Sequence, residues 1–203
     1  MRLYHSPLAP NARRVRIYLA EKGLDVPLVA VDLAKLEQKA DAYCAVNPFQ
    51  TVPALELDDG SILTESIAIC RYFEELHPSP ALFGTSPRER AEVEMWQRLA
   101  EFQLLMSIAQ TFRHTHPAMR EMENPQIPQW AEVNRARALL AMRRFDAALA
   151  SRRYLAGDNF SVADITGLVA LDFARPARIA IPEELVHLRR WRDELAARPS
   201  AAA

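Results

Sequence analysis

Cysteine and glycine are both scarce in this sequence. Its 203 residues include two cysteines, Cys44 and Cys70, and five glycines. The cysteines lie far apart and form no Cys-x-x-Cys pair, which argues against a disulfide-stabilised secreted domain and against a dithiol redox enzyme. We therefore expect free thiols in a reducing compartment. The glycines are widely separated, which excludes a glycine-rich phosphate-binding loop.

Long apolar runs and an excess of charge are also absent. No stretch is long enough to span a bilayer, and the first residues lack the apolar run and cleavage site of a secretory signal. The 25 basic and 26 acidic residues give a formal net charge of -1. We therefore expect no nucleic-acid partner and no binding to an anionic membrane. Together these absences predict a cytoplasmic globular protein.

Metal-ligand spacing is missing as well. His114 and His116 are close in sequence, but no third ligand accompanies them and Pro117 follows. This pattern favours the end of a helix over a metal site. The sequence thus predicts no metal cofactor.

The first part of the chain alternates short strands with helices. Asn11 is a plausible N-cap and Gly23 a stop signal for the first helix. Asp59-Gly60 is typical of a hairpin turn. Strands are predicted at 3–5, 27–31, 53–57 and 62–64, and helices at 11–22, 33–44 and 66–76. This order predicts a mixed sheet with helices packed on it, as in an α/β thioredoxin-like domain.

The rest of the chain has helical spacing and almost no strand pattern. His77-Pro78-Ser79-Pro80 cannot continue a helix, because both prolines lack an N–H donor. Ser86-Pro87-Arg88-Glu89 then signals a strong helix start with a capping box. We divide the chain into a thioredoxin-like domain at 1–77, a linker at 78–85 and an all-helical domain at 86–203.

Four segments together resemble the cytosolic glutathione transferases, and their order and spacing extend the resemblance over essentially the whole chain. The segments are Ala9–Arg16, Asn47–Pro53, Leu63–Ile69 and Phe160–Ile165. The N-terminal motif resembles that of the Ser and Cys groups of the family, in a bacterial type of sequence. The resemblance implies a thioredoxin-like glutathione-binding domain, then an all-α domain that contributes to a pocket for a second substrate.

The resemblance also implies where the tripeptide binds. Pro53 would follow a cis peptide, so that the Val52 backbone pairs with the cysteinyl unit of glutathione as an added strand would. Glu65 and Ser66 would hold the γ-glutamyl group, whose ammonium and carboxylate match a carboxylate and a helix N-terminus. Simpler interpretations are a proline that starts a strand and an ordinary helix cap.

Two neighbouring residues are candidates for the other end of the same ligand. Gln50 and Thr51 would contact the glycyl end of glutathione. No lysine stands where many family members place one, so that contact has no counterpart in this sequence.

One position departs from the family pattern. Family enzymes activate the glutathione thiol with Tyr, Ser or Cys, but alignment on the first helix puts Ala9 there, next to Pro10. Thiolate stabilisation would then come from helix N–H groups and the Asn11 amide, or from the Ser6 hydroxyl. Weak or absent activation is the third alternative.

The second substrate is expected between the domains, on the long first helix of the helical domain. By resemblance, Phe102, Met106 and Arg113 would line its site, together with Gln103 and Gln110. A Met and aromatic stripe at this spacing is more often part of a packed core than of a pocket. The resemblance further implies a homodimer with each site near the interface.

Ser161-x-x-Asp164 resembles the capping box of the family's helical domain, with Asp in place of the usual Glu. Its expected role is folding, since the Asp carboxylate can reach back to the cap N–H.

Two functions follow from these patterns. The first is a glutathione transferase that joins the glutathione thiol to a small apolar electrophile, or a related peroxidase or isomerase. The second is a non-catalytic binding or regulatory protein that keeps the fold and the ligand site. Ala9 favours the second, whereas Val52-Pro53 and Glu65-Ser66 favour the first.

Overall fold

The structure, a computed structural model, describes all residues from 1 to 203. The chain divides into two compact units. Unit 1 comprises Met1–Ala81 with Ala202–Ala203, and unit 2 comprises Leu82–Ala201. No helix in the chain combines the length and the apolar character needed to cross a membrane.

Unit 1 is built on a four-stranded sheet in the order β2-β1-β3-β4. Its strands are β1 (Arg2–His5), β2 (Leu28–Ala30), β3 (Ala54–Glu56) and β4 (Ile62–Thr64). Strand β1 runs parallel to β2 and antiparallel to β3, and β3 pairs antiparallel with β4. This is the mixed sheet predicted for a thioredoxin-like domain.

Three helices accompany the sheet: α1 (Pro10–Lys22), the short α2 (Asp41–Cys44) and α3 (Ser66–Leu76). Helices α1 and α3 pack together. A buried polar cluster lies between them, where Glu74 accepts a hydrogen bond from the Tyr18 hydroxyl and pairs with Lys22. These contacts fix the helix layer behind the sheet.

Two helical predictions in unit 1 need correction. The N-cap of α1 is Ala9 rather than Asn11, because Pro10 occupies the first helical position, where a missing N–H costs nothing. The predicted helix at 33–44 is broken into two 3-10 turns, Leu33–Lys35 and Glu37–Lys39, followed by α2. The break falls at Leu36, whose φ of 58° lies in the left-handed region.

Unit 2 is all-helical, as predicted. Its helices are α4 (Pro87–Leu99), α5 (Met106–Arg113), α6 (Pro128–Leu149), α7 (Val162–Ala174) and α8 (Val186–Ala196), and a π-helical segment, Ala100–Leu105, joins α4 to α5. The predicted capping box is present, with Glu89 N–H donating to Ser86 and Ser86 N–H donating to Glu89. Helix α7 forms the centre of the unit, and nearly all of its residues are buried.

Asp164 joins three elements of unit 2. Its carboxylate accepts hydrogen bonds from the Ser161 N–H and hydroxyl, the Leu155 N–H and the Trp191 indole. Burial raises the pKa of Asp164 to about 6, against these hydrogen bonds, which lower it. The predicted capping box is therefore extended into a buried polar centre.

Candidate functional site

Strand register brings three of the predicted site segments to one end of the sheet. Ala54 of β3 pairs with Tyr4 of β1 and with Thr64 of β4. Continuing both antiparallel ladders places the end of β1 and the end of β4 beside the Val52-Pro53 segment that leads into β3. The loop after β1, Val52-Pro53 and Glu65-Ser66 therefore lie next to one another.

Val52 supplies an open backbone edge at this end of the sheet. The Val52–Pro53 peptide is cis, as predicted. The Val52 side chain is buried in a cluster that includes Ala9 and Ala12. Its N–H and C=O make no hydrogen bond within the chain. Such groups can pair with an extended peptide.

The loop before Val52 is held from inside the unit. Tyr43 donates its hydroxyl to the Thr51 carbonyl at 2.6 Å, and the Asn47 amide donates to the same oxygen at 2.8 Å. The Asn47 oxygen accepts from the Phe49 N–H at 3.1 Å. Neither Asn47 nor Tyr43 has a sequence signal for this role, although Asn47 opens the Asn47–Pro53 segment.

Gln50 and Thr51 are exposed, but both contact their own loop. Gln50 has a φ of 57° and directs its amide to the Cys44 sulfur at 3.6 Å. The Thr51 hydroxyl accepts from the Asn47 amide at 3.2 Å. Both contacts are therefore made within residues 44–51.

Glu65 and Ser66 form the start of α3. Glu65 is exposed and has a φ of 66°, which is unusual for a residue with a side chain. Ser66 is buried at the first helical position, and no side chain caps the helix. The free N–H groups and the helix dipole therefore remain available to a carboxylate. A strained residue at this point is typical of a ligand site.

The N-terminus of α1 has no side-chain cap and no acidic residue in its first turn. Exposed Asn11 lies in this turn, and the buried Arg14 donates from Nη2 to its Oδ1 at 2.9 Å. Arg16 donates to the Ser6 and Pro7 carbonyls and so holds the preceding loop. Donors and positive charge therefore dominate this end of the helix.

Hydroxyl groups near Ala9 differ in their surroundings. The Tyr4 hydroxyl donates to Glu56 at 2.9 Å, at the other end of β3 from Val52. Burial and then this hydrogen bond raise the pKa of Tyr4. Ser6 is buried, and its carbonyl accepts from the Ala9 N–H. Of the two hydroxyls, only that of Ser6 lies on the loop beside Ala9.

Unit 2 contains a cavity of about 550 Å³ on the π-helical segment, α5 and α6. Phe102 and Met106 line it together with Trp130, and Gln103 and Gln110 are also in its wall.

Arg113, which was predicted to line the site of the second substrate, does not line this cavity. It forms an ion pair with Glu123 at 2.6 Å.

The two halves of the chain match two family signatures. The signature described as "Glutathione S-transferase, N-terminal domain" matches residues 3–81. The signature described as "Glutathione S-transferase, C-terminal domain" matches residues 103–199.

Individual relatives agree with these matches. Glutathione S-transferase 2 of Saccharomyces cerevisiae is 40% identical over 98% of this chain and 87% of its own length. The crystal structure of Gtt2 from Saccharomyces cerevisiae aligns with a TM-score of 0.95 at 40% identity, over 100% of this chain and 99% of that one. A maleylacetoacetate isomerase of Pseudomonas aeruginosa is 44% identical over 93 residues, which are 45% of this chain and 44% of the isomerase.

Proposed function

The chain belongs to the glutathione S-transferase family, and on this premise we propose that it binds glutathione and joins its thiol to a small apolar electrophile. The observation that carries the proposal is the unpaired backbone of Val52 beside Glu65-Ser66 at one end of the sheet. The Val52 backbone can pair with the cysteinyl peptide of glutathione, and Glu65-Ser66 can bind its charged γ-glutamyl end.

The tripeptide is recognised through two complementary sets of groups. The Val52 N–H and C=O pair with the cysteinyl unit as a neighbouring strand would. The Ser66 hydroxyl and the N–H groups at the start of α3 bind the γ-glutamyl carboxylate, while Glu65 accepts from its ammonium. Gln50 and Thr51 flank the glycyl end.

Activation of the thiol is proposed to rest on α1 rather than on a hydroxyl at position 9. Lowering a thiol pKa of about 8.5 by two units requires about 2.7 kcal/mol of preferential thiolate stabilisation. The N–H groups of the uncapped helix and the Asn11 amide are donors suited to this. The N-terminal motif is thus a variant of the Ser and Cys type in which Ala9 and Pro10 leave the helix end open to the sulfur, and Ser6 is the alternative donor.

The electrophile is proposed to pack against Phe102 and Met106 in the helical unit. The cavity there combines the apolar side chains of Phe102, Met106 and Trp130 with a polar wall that includes Gln103, Gln110 and Arg137. The apolar side chains are the ones proposed to contact the electrophile. Arg113 is held by Glu123 outside this cavity, so the site rests on the other two residues.

Two further activities have specific support. The match to a maleylacetoacetate isomerase favours an isomerase-type use of glutathione on the same site. Ala9 favours a binding or regulatory protein without turnover, because alanine offers no hydroxyl to the thiol.

We place the protein in the cytoplasm, in a detoxification role, as a homodimer. The free cysteines Cys44 and Cys70 agree with a reducing compartment. Phe49 agrees with a second copy, because this large apolar side chain is 78% exposed on the loop before β3.

Retention on glutathione-agarose, followed by thiol-conjugation assays with several electrophiles, tests the proposal. We expect retention and turnover of at least one electrophile. Retention without turnover would support the binding protein instead, and absence of retention would reject glutathione as the ligand.

A further inference from the structure

The peptide between Thr51 and Val52 has one buried face and one open face. Its carbonyl accepts two hydrogen bonds, from the Tyr43 hydroxyl and from the Asn47 amide. A carbonyl has two lone pairs, so both acceptor positions of the Thr51 oxygen are filled. The oxygen is thereby fixed toward the interior of unit 1.

The direction of the next N–H follows from this. The Thr51–Val52 peptide is trans, and in a trans peptide the N–H points opposite to the C=O. With the Thr51 carbonyl held inward, the Val52 N–H is directed away from Tyr43 and Asn47. It makes no hydrogen bond in the chain, in agreement with that direction.

The two donors are themselves well fixed. Asn47 is 0% exposed, and its own oxygen and carbonyl accept from the Phe49 and Gln50 N–H groups. Tyr43 is buried, and its ring contacts Tyr4 edge-on with the centroids 5.9 Å apart. Burial of this kind leaves little freedom for either side chain to turn away.

We propose that Asn47 and Tyr43 are positioning residues for tripeptide binding, which aim the Val52 N–H at the ligand by holding the Thr51 carbonyl inward. The inference rests on the proposed function, because the ligand that the N–H meets is glutathione. Neither side chain touches that ligand in this proposal. Their effect is to fix the peptide plane before binding, so that binding does not have to order it.

Calorimetric titration with glutathione and with S-methylglutathione tests the positioning role of Asn47 and Tyr43. Tyr43→Phe removes one donor and keeps the ring, and Asn47→Asp replaces the other donor with a carboxylate oxygen. For both probes we expect the Kd to rise roughly five- to tenfold in each variant, the effect of losing about one neutral hydrogen bond. The pKa of the bound glutathione thiol, followed by thiolate absorbance, should not change.

Tyr18→Phe is the matched control. It also removes a buried tyrosine hydroxyl bond in unit 1, to Glu74, but it lies away from the Thr51 carbonyl. We expect a comparable loss of melting temperature and an unchanged Kd. A melting scan also shows whether Asn47→Asp is folded, and Tyr43→Phe tests the proposal even where that variant is not.

The outcomes separate this inference from the proposed function. Wild-type affinity in folded Tyr43→Phe overturns the positioning role and leaves glutathione binding intact. An equal loss of affinity in Tyr18→Phe overturns it too, because the effect would then be general loosening of the unit. Absence of glutathione binding by the wild-type protein overturns both.

Discussion

Arg14 donates a hydrogen bond from Nη2 to Oδ1 of Asn11, three residues earlier on α1, at 2.9 Å. A guanidinium group has donors only, so the atom that it meets must be the amide oxygen of Asn11. The amide NH2 group is therefore turned to the other side. At the uncapped start of α1 this NH2 group is the donor that we propose for the thiolate, since position 9 has no hydroxyl.

The first prediction concerns Asn11→Asp. This variant retains an oxygen for Arg14 but replaces the outward NH2 with a negative oxygen, which disfavours a nearby thiolate. We expect the pKa of the bound glutathione thiol to rise by about one unit or more, so that the thiolate fraction below that pKa falls about tenfold. Thiolate absorbance recorded against pH measures this pKa. Asn11→Ala should raise the pKa by a smaller amount. An unshifted thiol in Asn11→Asp would leave Ser6 as the remaining side-chain donor.

The second prediction concerns Glu65→Gln. Loss of the carboxylate removes the charged partner proposed for the γ-glutamyl ammonium, and hydrogen bonds to charged groups contribute about 1.5–3 kcal/mol. Calorimetry should show a Kd for glutathione that is roughly tenfold higher or more. Because Glu65 is exposed, the melting temperature should hardly change. Unaltered affinity in this variant would remove Glu65 from the site.

Local rules in the sequence predict the elements whose boundaries have strong signals. The Asp59-Gly60 turn and the prolines after His77 are such signals, and β4 and α3 begin and end where they were predicted. The start of α1 was missed because a cap normally has a polar side chain, whereas here Pro10 sets the first turn and Ala9 caps with its backbone alone.

Only those residues of the candidate site that belong to sequence motifs could be predicted. Val52-Pro53 and Glu65-Ser66 stand out in sequence, and strand register brings them together. The partners of the Thr51 carbonyl do not stand out, because tertiary placement decides which hydroxyl and amide meet it. The contact of Arg14 could not be predicted from the sequence either, since nothing in the helical pattern shows that its guanidinium turns toward Asn11.

The third prediction concerns folding of unit 2. Asp164→Ala leaves donors from Ser161, Leu155 and Trp191 without their acceptor in a buried setting. Each unmet buried donor costs about 1–3 kcal/mol, so the free energy of unfolding should fall by at least roughly 2 kcal/mol. Urea titration measures the loss. Glutathione affinity of the folded variant should equal that of the wild type, and a variant as stable as the wild type would contradict the role of this carboxylate.

The fourth prediction follows from the pKa of Asp164, which burial raises from 3.8 to about 6. Between these values the folded protein holds the proton that the unfolded chain releases, so the folded state binds more protons. The contribution of this group to stability is therefore fully present below the lower value and is lost as the pH rises through the upper one.

Asp164→Asn supplies the reference for this measurement, because asparagine does not titrate and every other ionisable group is shared. The stability advantage of the wild type over the variant, from urea titrations at several pH values, should shrink by roughly 1–3 kcal/mol from pH of about 4 to pH of about 6. Above pH of about 7, where the carboxyl is ionised in both states, the difference should stay constant. An advantage that grows with pH would mean that the four donors around Asp164 outweigh its burial and hold the carboxylate ionised in the folded protein.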